Sequence, residues 1–201
     1  MMNNKKIAVL VSGGGTNLQA LIDAEKAGEL GSGKITCVIS SKADAYALTR
    51  AEKAGIKTRT LIRKDFPDIA SYSAAMRDIL LEEEADLVVY AGFMTILDEQ
   101  VCEPFKNKMI NVHPALIPSF CGKGFYGLRV HEEALKKGVK VSGATVHFVN
   151  EIPDGGKIIA QKAVEILEDD TPEVLQKRVM EQAEWKLLPK AVAMVCSGEI
   201  K

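Results

Sequence analysis

The sequence predicts an α/β fold built on a doubly wound, mainly parallel sheet. Three observations carry that expectation. Short unbroken apolar runs recur along the first half of the chain, as strands buried on both faces require. Segments with helical apolar spacing alternate with them through short connections. A glycine turn, Ser12-Gly13-Gly14-Gly15-Thr16-Asn17, joins the first apolar run to the first helical segment.

Taken in order, Ile7–Val11 is the first strand. The glycines make a tight turn, and Thr16 or Asn17 can cap the helix that starts there. Ile35–Ser40 reads as the second strand and Ala43–Ala54 as a helix closed by Gly55. Thr58–Ile62 is the third strand. Between Asp68 and Glu84, Ile69, Tyr72, Met76, Ile79 and Leu80 recur at the spacing of a helix with one buried face. Asp86–Ala91 is the fourth strand, Thr95–Glu103 a short helix and Met109–His113 the fifth strand. After Pro114 the pattern loosens. A long loop runs to about Leu128, followed by a short helix at Arg129–Lys137, strands at Lys140–Val149 and Lys157–Ile166, and a long closing helix from Thr171 to about Val195. With no repeat, low-complexity tract or Pro/Gly/Ser linker, residues 1–201 read as a single Rossmann-like domain. Its first half, to about residue 108, is of the mononucleotide type, and the half from 109 is more irregular.

Composition narrows the function. The 201 residues are 47% apolar and 26% charged, which excludes a disordered chain, a collagen-like fibre and a small disulfide scaffold. A net charge of −1 provides no global basic field, so nucleic acid is not an expected partner. Cys37, Cys102, Cys121 and Cys196 are far apart and match no metal-ligand spacing, so no metal is expected. The opening MMNNKK-IAVLV is too short for a signal segment, and no run reaches the length of a membrane span. A cytoplasmic protein is therefore expected, with no membrane partner, as a monomer or weak homodimer. Only three histidines, His113, His131 and His147, are on hand for acid–base work near neutral pH.

A glycine turn between a buried strand and a helix suits an anion, because the first helical N–H groups are unpaired and the helix dipole is positive there. The third glycine of the dinucleotide fingerprint would fall at Leu18, and no Gly-Lys-Ser/Thr is present. Two readings stand: a site for a single phosphate, aided by Thr16 and Asn17, or a turn that simply needs glycine.

Met109-Ile110-Asn111-Val112-His113-Pro114 is the most informative run. Residues i and i+2 of a strand share a face, so Asn111 and His113 point the same way at the strand's C-terminal end. An amide donor beside an imidazole suits a developing oxyanion. The turn Asp154-Gly155-Gly156 can bring a carboxylate to the same edge and raise the pKa of His113. It is equally an ordinary hairpin turn. His147, in Thr145-Val146-His147-Phe148-Val149, reads as pocket wall or core, and His131 as a solvated helix-start residue.

Several segments in this order resemble the folate-dependent phosphoribosylglycinamide (GAR) formyltransferase family of purine synthesis. They are VLVSGGGTNLQALI, ISSKADA, YAGFMTIL, MINVHPALIPSF, GATVHFVNEIPDGGKIIAQ and a final Glu-Trp-x-x-x-Pro. The resemblance implies a formyltransferase-type second half that is catalytic and folate-binding. It implies formyl transfer from 10-formyltetrahydrofolate to the amine of GAR, without a metal. By the same resemblance Asn111, His113 and Asp154 match the catalytic trio, with Asn111 also facing the folate. Gly14, Gly15, Thr16, Asn17 and Glu184 match GAR contacts. Met94, Thr95, Ile96, Leu97, His147, Asn150, Glu151 and Ile152 match the folate site. Formyltetrahydrofolate deformylases, which are hydrolases, resemble the Asn-His…Asp part too and are the alternative. Departures from the pattern are Thr95 in place of a common Arg, a long Cys121–Val130 stretch, and Trp185 in place of a common His after Glu184.

Overall fold

The first strand organises the rest. In this computed structural model, which describes residues 4–200, β1 (Lys5–Val11) is an inner strand of a seven-stranded sheet. Ile7 to Val11 are each 0% exposed. Ile7, Val9 and Val11 feed one core, and Ala8 and Leu10 feed the other, as the two-residue period of a strand dictates. Covering both faces of such a strand is what its unbroken apolar run demands.

The other strands are β2 (Gly33–Ser40), β3 (Lys57–Thr60), β4 (Leu87–Tyr90), β5 (Met109–His113), β6 (Val141–Phe148) and β7 (Ile158–Glu165). Their order is β3-β2-β1-β4-β5-β6-β7, parallel through β5 and antiparallel at β6 and β7. The sheet is thus doubly wound and mainly parallel, as the alternation predicts. Helices α1 (Thr16–Lys26), α2 (Tyr46–Lys53), α3 (Ile69–Glu82), α4 (Glu99–Cys102), α5 (Leu128–Lys137), α6 (Pro172–Val179) and α7 (Trp185–Cys196) cover it. α1 and α7 pack together on the first core, whereas Tyr72, Met76 and Leu80 of α3 fill the second. The Asp68 carboxylate accepts from Ser71 N at 2.7 Å and caps α3.

Five local expectations change. α1 starts at Thr16 without a side-chain cap, because Gly15 takes the capping position in the left-handed region, at φ 72°. The helix expected over Thr95–Glu103 shrinks to α4, since the Asp98 side chain accepts from Gln100 N and starts the helix there. Phe93 and Leu97 enter the second core from irregular backbone instead. The helix expected from Ala43 begins at Tyr46, and β3 ends at Thr60. The closing helix is two helices, α6 and α7, separated by a π-helical turn over Met180–Glu184. That wider turn precedes Pro189, which cannot donate to the carbonyl of Trp185.

Candidate active site

β5 ends where the parallel part of the sheet meets its antiparallel extension. Asn111 lies opposite His147 of β6, and His113 opposite Thr145. Asn111 Nδ2 is 3.2 Å from His147 Nε2 and 3.5 Å from Asp154 Oδ1. His113 Nδ1 lies 3.5 Å from Asp154 Oδ2, and His147 Nε2 3.5 Å from Asp154 Oδ1. The structure therefore brings the expected Asn111, His113 and Asp154 together and adds His147, placed deeper than a pocket wall. Asp154 comes from the turn after β6 with φ 56°, a left-handed conformation that Asp tolerates better than most residues. Gly156 makes the fold-back possible, because a Cβ there would sit 1.7 Å from the carbonyl oxygen of Phe148.

The long loop after Pro114 supplies backbone to the same cluster. Gly122 N donates to Asp154 Oδ2 at 2.8 Å, and His113 Nε2 lies 2.8 Å from the carbonyl of Phe120. Thr145 Oγ1 anchors the start of this loop, accepting from Ile117 N at 3.1 Å and donating to Ala115 O at 2.6 Å. A carbonyl only accepts, so the Phe120 contact places a proton on His113 Nε2 and leaves Nδ1 facing Asp154. By the same reasoning His147 Nδ1, 2.8 Å from Phe148 O, carries its proton. His147 Nε2 is then the nitrogen that accepts from Asn111 Nδ2, and it also faces Asp154 Oδ1.

Asp154 raises the His113 pKa as expected, but burial acts against it. Burial pulls the His113 pKa down and outweighs the raising effects of Asp154 and the Phe120 carbonyl, so the net shift is below the ordinary value. Asp154 is pushed up by burial. Contact with His147 and His113 and the Gly122 N–H outweigh this and hold its carboxyl below the usual range. The cluster thus rests as a carboxylate beside a mainly neutral His113. Charge appearing on a bound oxygen would favour the imidazolium.

The glycine turn sits at the C-terminal end of β1. Leu10 is level with Tyr90, and Tyr90 with Asn111. β1 and β5 are thus two inter-strand spacings apart, about 10 Å. α2 closes the turn from below, with Ala47 N donating to Gly13 O at 3.0 Å and Arg50 Nε to Gly14 O at 2.8 Å. A Cβ at Gly15 would meet Ala47 Cβ at 2.6 Å, so only glycine fits there. The carbonyls of the turn are therefore occupied, and the helix-start N–H groups remain for an anion. Gly14 is exposed, Gly15 and Thr16 are half-buried, and Asn17 is 8% exposed. Asn17 Nδ2 donates to Glu184 Oε2 of the π-helical turn at 2.6 Å, joining two expected site residues 167 positions apart.

The expected folate segments lie beside the cluster. Met94 and Ile96 are 50% and 55% exposed, and Ile152 projects into solvent as well. Leu97 is core, and Thr95 is half-buried. Asn150 Oδ1 accepts from Ile152 N at 3.1 Å and shapes its turn, while Glu151 is exposed. Ser12 Oγ shares a hydrogen bond of 2.7 Å with Ser41 Oγ and accepts from Met94 N at 3.0 Å, tying the glycine turn to the 94–97 segment.

Several participants escaped the sequence reading. Ser12 and Arg50 act through contacts between distant elements, and Phe120 and Gly122 through main-chain atoms. His131 was placed on the surface and is instead 0% exposed, with neither ring nitrogen partnered and its pKa pushed down to about 4 by burial. Val130 with Ala134, and His131 with Leu135, are spaced i,i+4, a signal for that inward face. Trp185 lines an open groove of about 760 Å³ between α1 and α7, with Thr16, Arg50, Lys186 and Lys190. Among the described residues no group of three or more His, Cys, Asp or Glu could hold a metal ion. No helix among them is long and apolar enough to cross a membrane.

This layout has the build of an α/β enzyme that moves an acyl-type group between two small molecules. The chain belongs to the formyl transferase family, whose model matches residues 5–192. It is 41% identical to the phosphoribosylglycinamide formyltransferase of Haemophilus influenzae over 197 residues, 98% of this chain and 90% of that protein. It is 44% identical to the trifunctional purine biosynthetic protein adenosine-3 of Bos taurus, covering 98% of this chain but 19% of that longer protein. The crystal structure of glycinamide ribonucleotide transformylase 1 from Symbiobacterium toebii superposes with a TM-score of 0.92 at 38% identity, covering 98% of this chain and 90% of that one.

Proposed function

We propose that this chain catalyses the reaction for which its relatives are named, formylation of the amine of phosphoribosylglycinamide in purine biosynthesis, with 10-formyltetrahydrofolate as donor. The observation that carries the reading is the convergence of Asn111, His113, His147 and Asp154 at the end of β5, two strands across the sheet from β1, which leads into the glycine turn. That separation suits a substrate whose phosphate and reacting amine sit at opposite ends of a ribose. The phosphate lies at Gly14, Gly15, Thr16 and Asn17, with Glu184 beside it. The folate lies against Met94, Thr95, Ile96, His147 and the Asn150–Ile152 turn, with Leu97 supporting that wall from the core. Residues to about 108 hold the phosphate, and those from 109 carry the chemistry.

The neutral amine attacks the formyl carbon. Negative charge builds on the formyl oxygen, where Asn111 Nδ2–H donates and His113, having taken one proton from solvent onto Nδ1, donates from that nitrogen; this proton returns to solvent after turnover. Asp154 stabilises that imidazolium. The proton lost by the attacking nitrogen passes to Asp154, directly or through a water, and on to the departing folate nitrogen, so charge is conserved. Both substrates are small molecules, and the protein works in the cytoplasm as a monomer or weak homodimer, without a metal, nucleic acid or membrane. The test is turnover of 10-formyltetrahydrofolate with and without GAR. Formyl-GAR and tetrahydrofolate should appear together, only when GAR is present. Cofactor turnover in its absence would indicate hydrolysis instead.

A further inference from the structure

The Asn17–Glu184 pair is unbalanced. Glu184 is 6% exposed, and its carboxylate receives one hydrogen bond, from Asn17 Nδ2. Asn17 Oδ1 is buried with no partner. The amide has therefore turned its donor toward the carboxylate and its bare oxygen toward the remaining surroundings. A buried acceptor without a donor is destabilising, so something outside this pair must offset it. An incoming phosphate makes matters worse, because it brings acceptor oxygens to a helix start that already holds a buried anion and an unpaired carbonyl oxygen.

One rearrangement removes every conflict. We propose that GAR binding is coupled to uptake of one proton by Glu184, with the Asn17 amide turning over so that its NH2 group serves the substrate phosphate. The proton comes from solvent and forms an O–H bond on the Glu184 carboxyl. That O–H donates to Asn17 Oδ1, and Nδ2–H is released to a phosphate oxygen. The buried negative charge disappears as the phosphate charge arrives. Glu184 then acts on the phosphate through Asn17. This rests on the reading of the glycine turn given under the proposed function.

The surroundings favour the exchange. Burial raises the Glu184 carboxyl to about 7, against a lowering effect of Asn17 alone. No ion pair reaches it among the described residues. On α6, Arg178 is paired with Asp170 and Lys177 with Glu181. From α1, Asn17 is the residue that bonds it, while the Thr16 hydroxyl turns to Met180 Sδ at 3.8 Å. On α7, Lys186 and Lys190 line the outer groove with Arg50, and the parts of β6 and β7 packed on the π-helical turn add no charged partner.

Calorimetry of GAR binding to the intact protein tests this, in buffers of different ionisation enthalpy at about pH 8. GAR itself exchanges protons on binding, so wild type is compared with Glu184→Gln, whose amide can donate to Asn17 Oδ1 without titrating. Wild type should take up nearly one proton more per GAR than the variant. Between about pH 7.5 and 9.5 its affinity should fall about tenfold per pH unit relative to the variant. Equal proton counts, or a variant weakened equally at every pH, overturn the proposal. If the variant does not fold, carboxyl-labelled wild type suffices. At about pH 8 the Glu184 carbon should move to its protonated position in NMR when GAR saturates, and no movement overturns the proposal. Formyl transfer to GAR with no proton difference would sink this coupling alone, whereas failure to bind GAR would sink the functional reading beneath it.

Discussion

Replacing Asp154 with Asn removes one charge and almost no volume. The carboxylate lies 3.5 Å from His113 Nδ1. Two unit charges at that distance attract by about 5 kcal/mol at an effective dielectric constant near 20. At about 1.4 kcal/mol per factor of ten, losing all of it would slow the reaction by a little over three powers of ten. The amide still accepts from Gly122 N and offers a dipole to His113, so the expected loss in kcat is about 10²–10³-fold. The pH profile should move as well. Burial already holds His113 below its ordinary value, and without Asp154 that lowering is less opposed. The limb on which activity falls as His113 deprotonates should therefore shift to lower pH, making the loss larger in alkaline buffer. The measurement is tetrahydrofolate release at saturating GAR and 10-formyltetrahydrofolate across the pH range. Activity within threefold of wild type and an unmoved alkaline limb would refute the role given to the carboxylate.

Two further changes probe the framework. Gly156→Ala forces a Cβ to within 1.7 Å of Phe148 O, so the Asp154 turn must shift. It should cost about 1–3 kcal/mol, lower Tm by about 2–4 °C per kcal/mol, and reduce kcat at least tenfold, and a variant with wild-type Tm and rate would contradict the geometry. His131 is held neutral by the fold, with its pKa down at about 4, while the unfolded chain protonates near the ordinary 6.5. Its contribution is complete above about pH 6.5 and is lost as pH falls toward 4, by about 3 kcal/mol. Urea unfolding of His131→Leu should be flatter by that amount over the same interval, and an unchanged acid slope would dispose of the assignment.

The strand alternation announced β1, β2, β4 and β5, because a strand covered on both faces leaves an unbroken apolar run. Asn111 and His113 were legible together, since the two-residue period fixes their shared face. Asp154 was a candidate only as a carboxylate in a glycine turn, for nothing in its spacing says that the turn folds back over β5. Glu184 and the folate segments came from resemblance. The backbone donors and acceptors at Gly122 and Phe120 had no signature, because every residue has the same main-chain groups. The raising effect of Asp154 on His113 follows from a nearby carboxylate and is present, whereas the depth of burial that outweighs it has no sequence signature.

The packing of the last helix on the first bears on how the protein is made. α1 and the glycine turn leave the ribosome well before their cover, α7, and before the buried partner of Asn17, which is 167 residues downstream. Ser32, just before β2, likewise waits for the carbonyl of Cys196. Contacts of such long sequence separation form slowly, and the surfaces awaiting them remain sticky in the meantime. The glycine turn therefore completes its native surroundings only once α7 has been made. A nascent chain stalled before α6 would carry a folded-looking sheet with its anion-facing end still open.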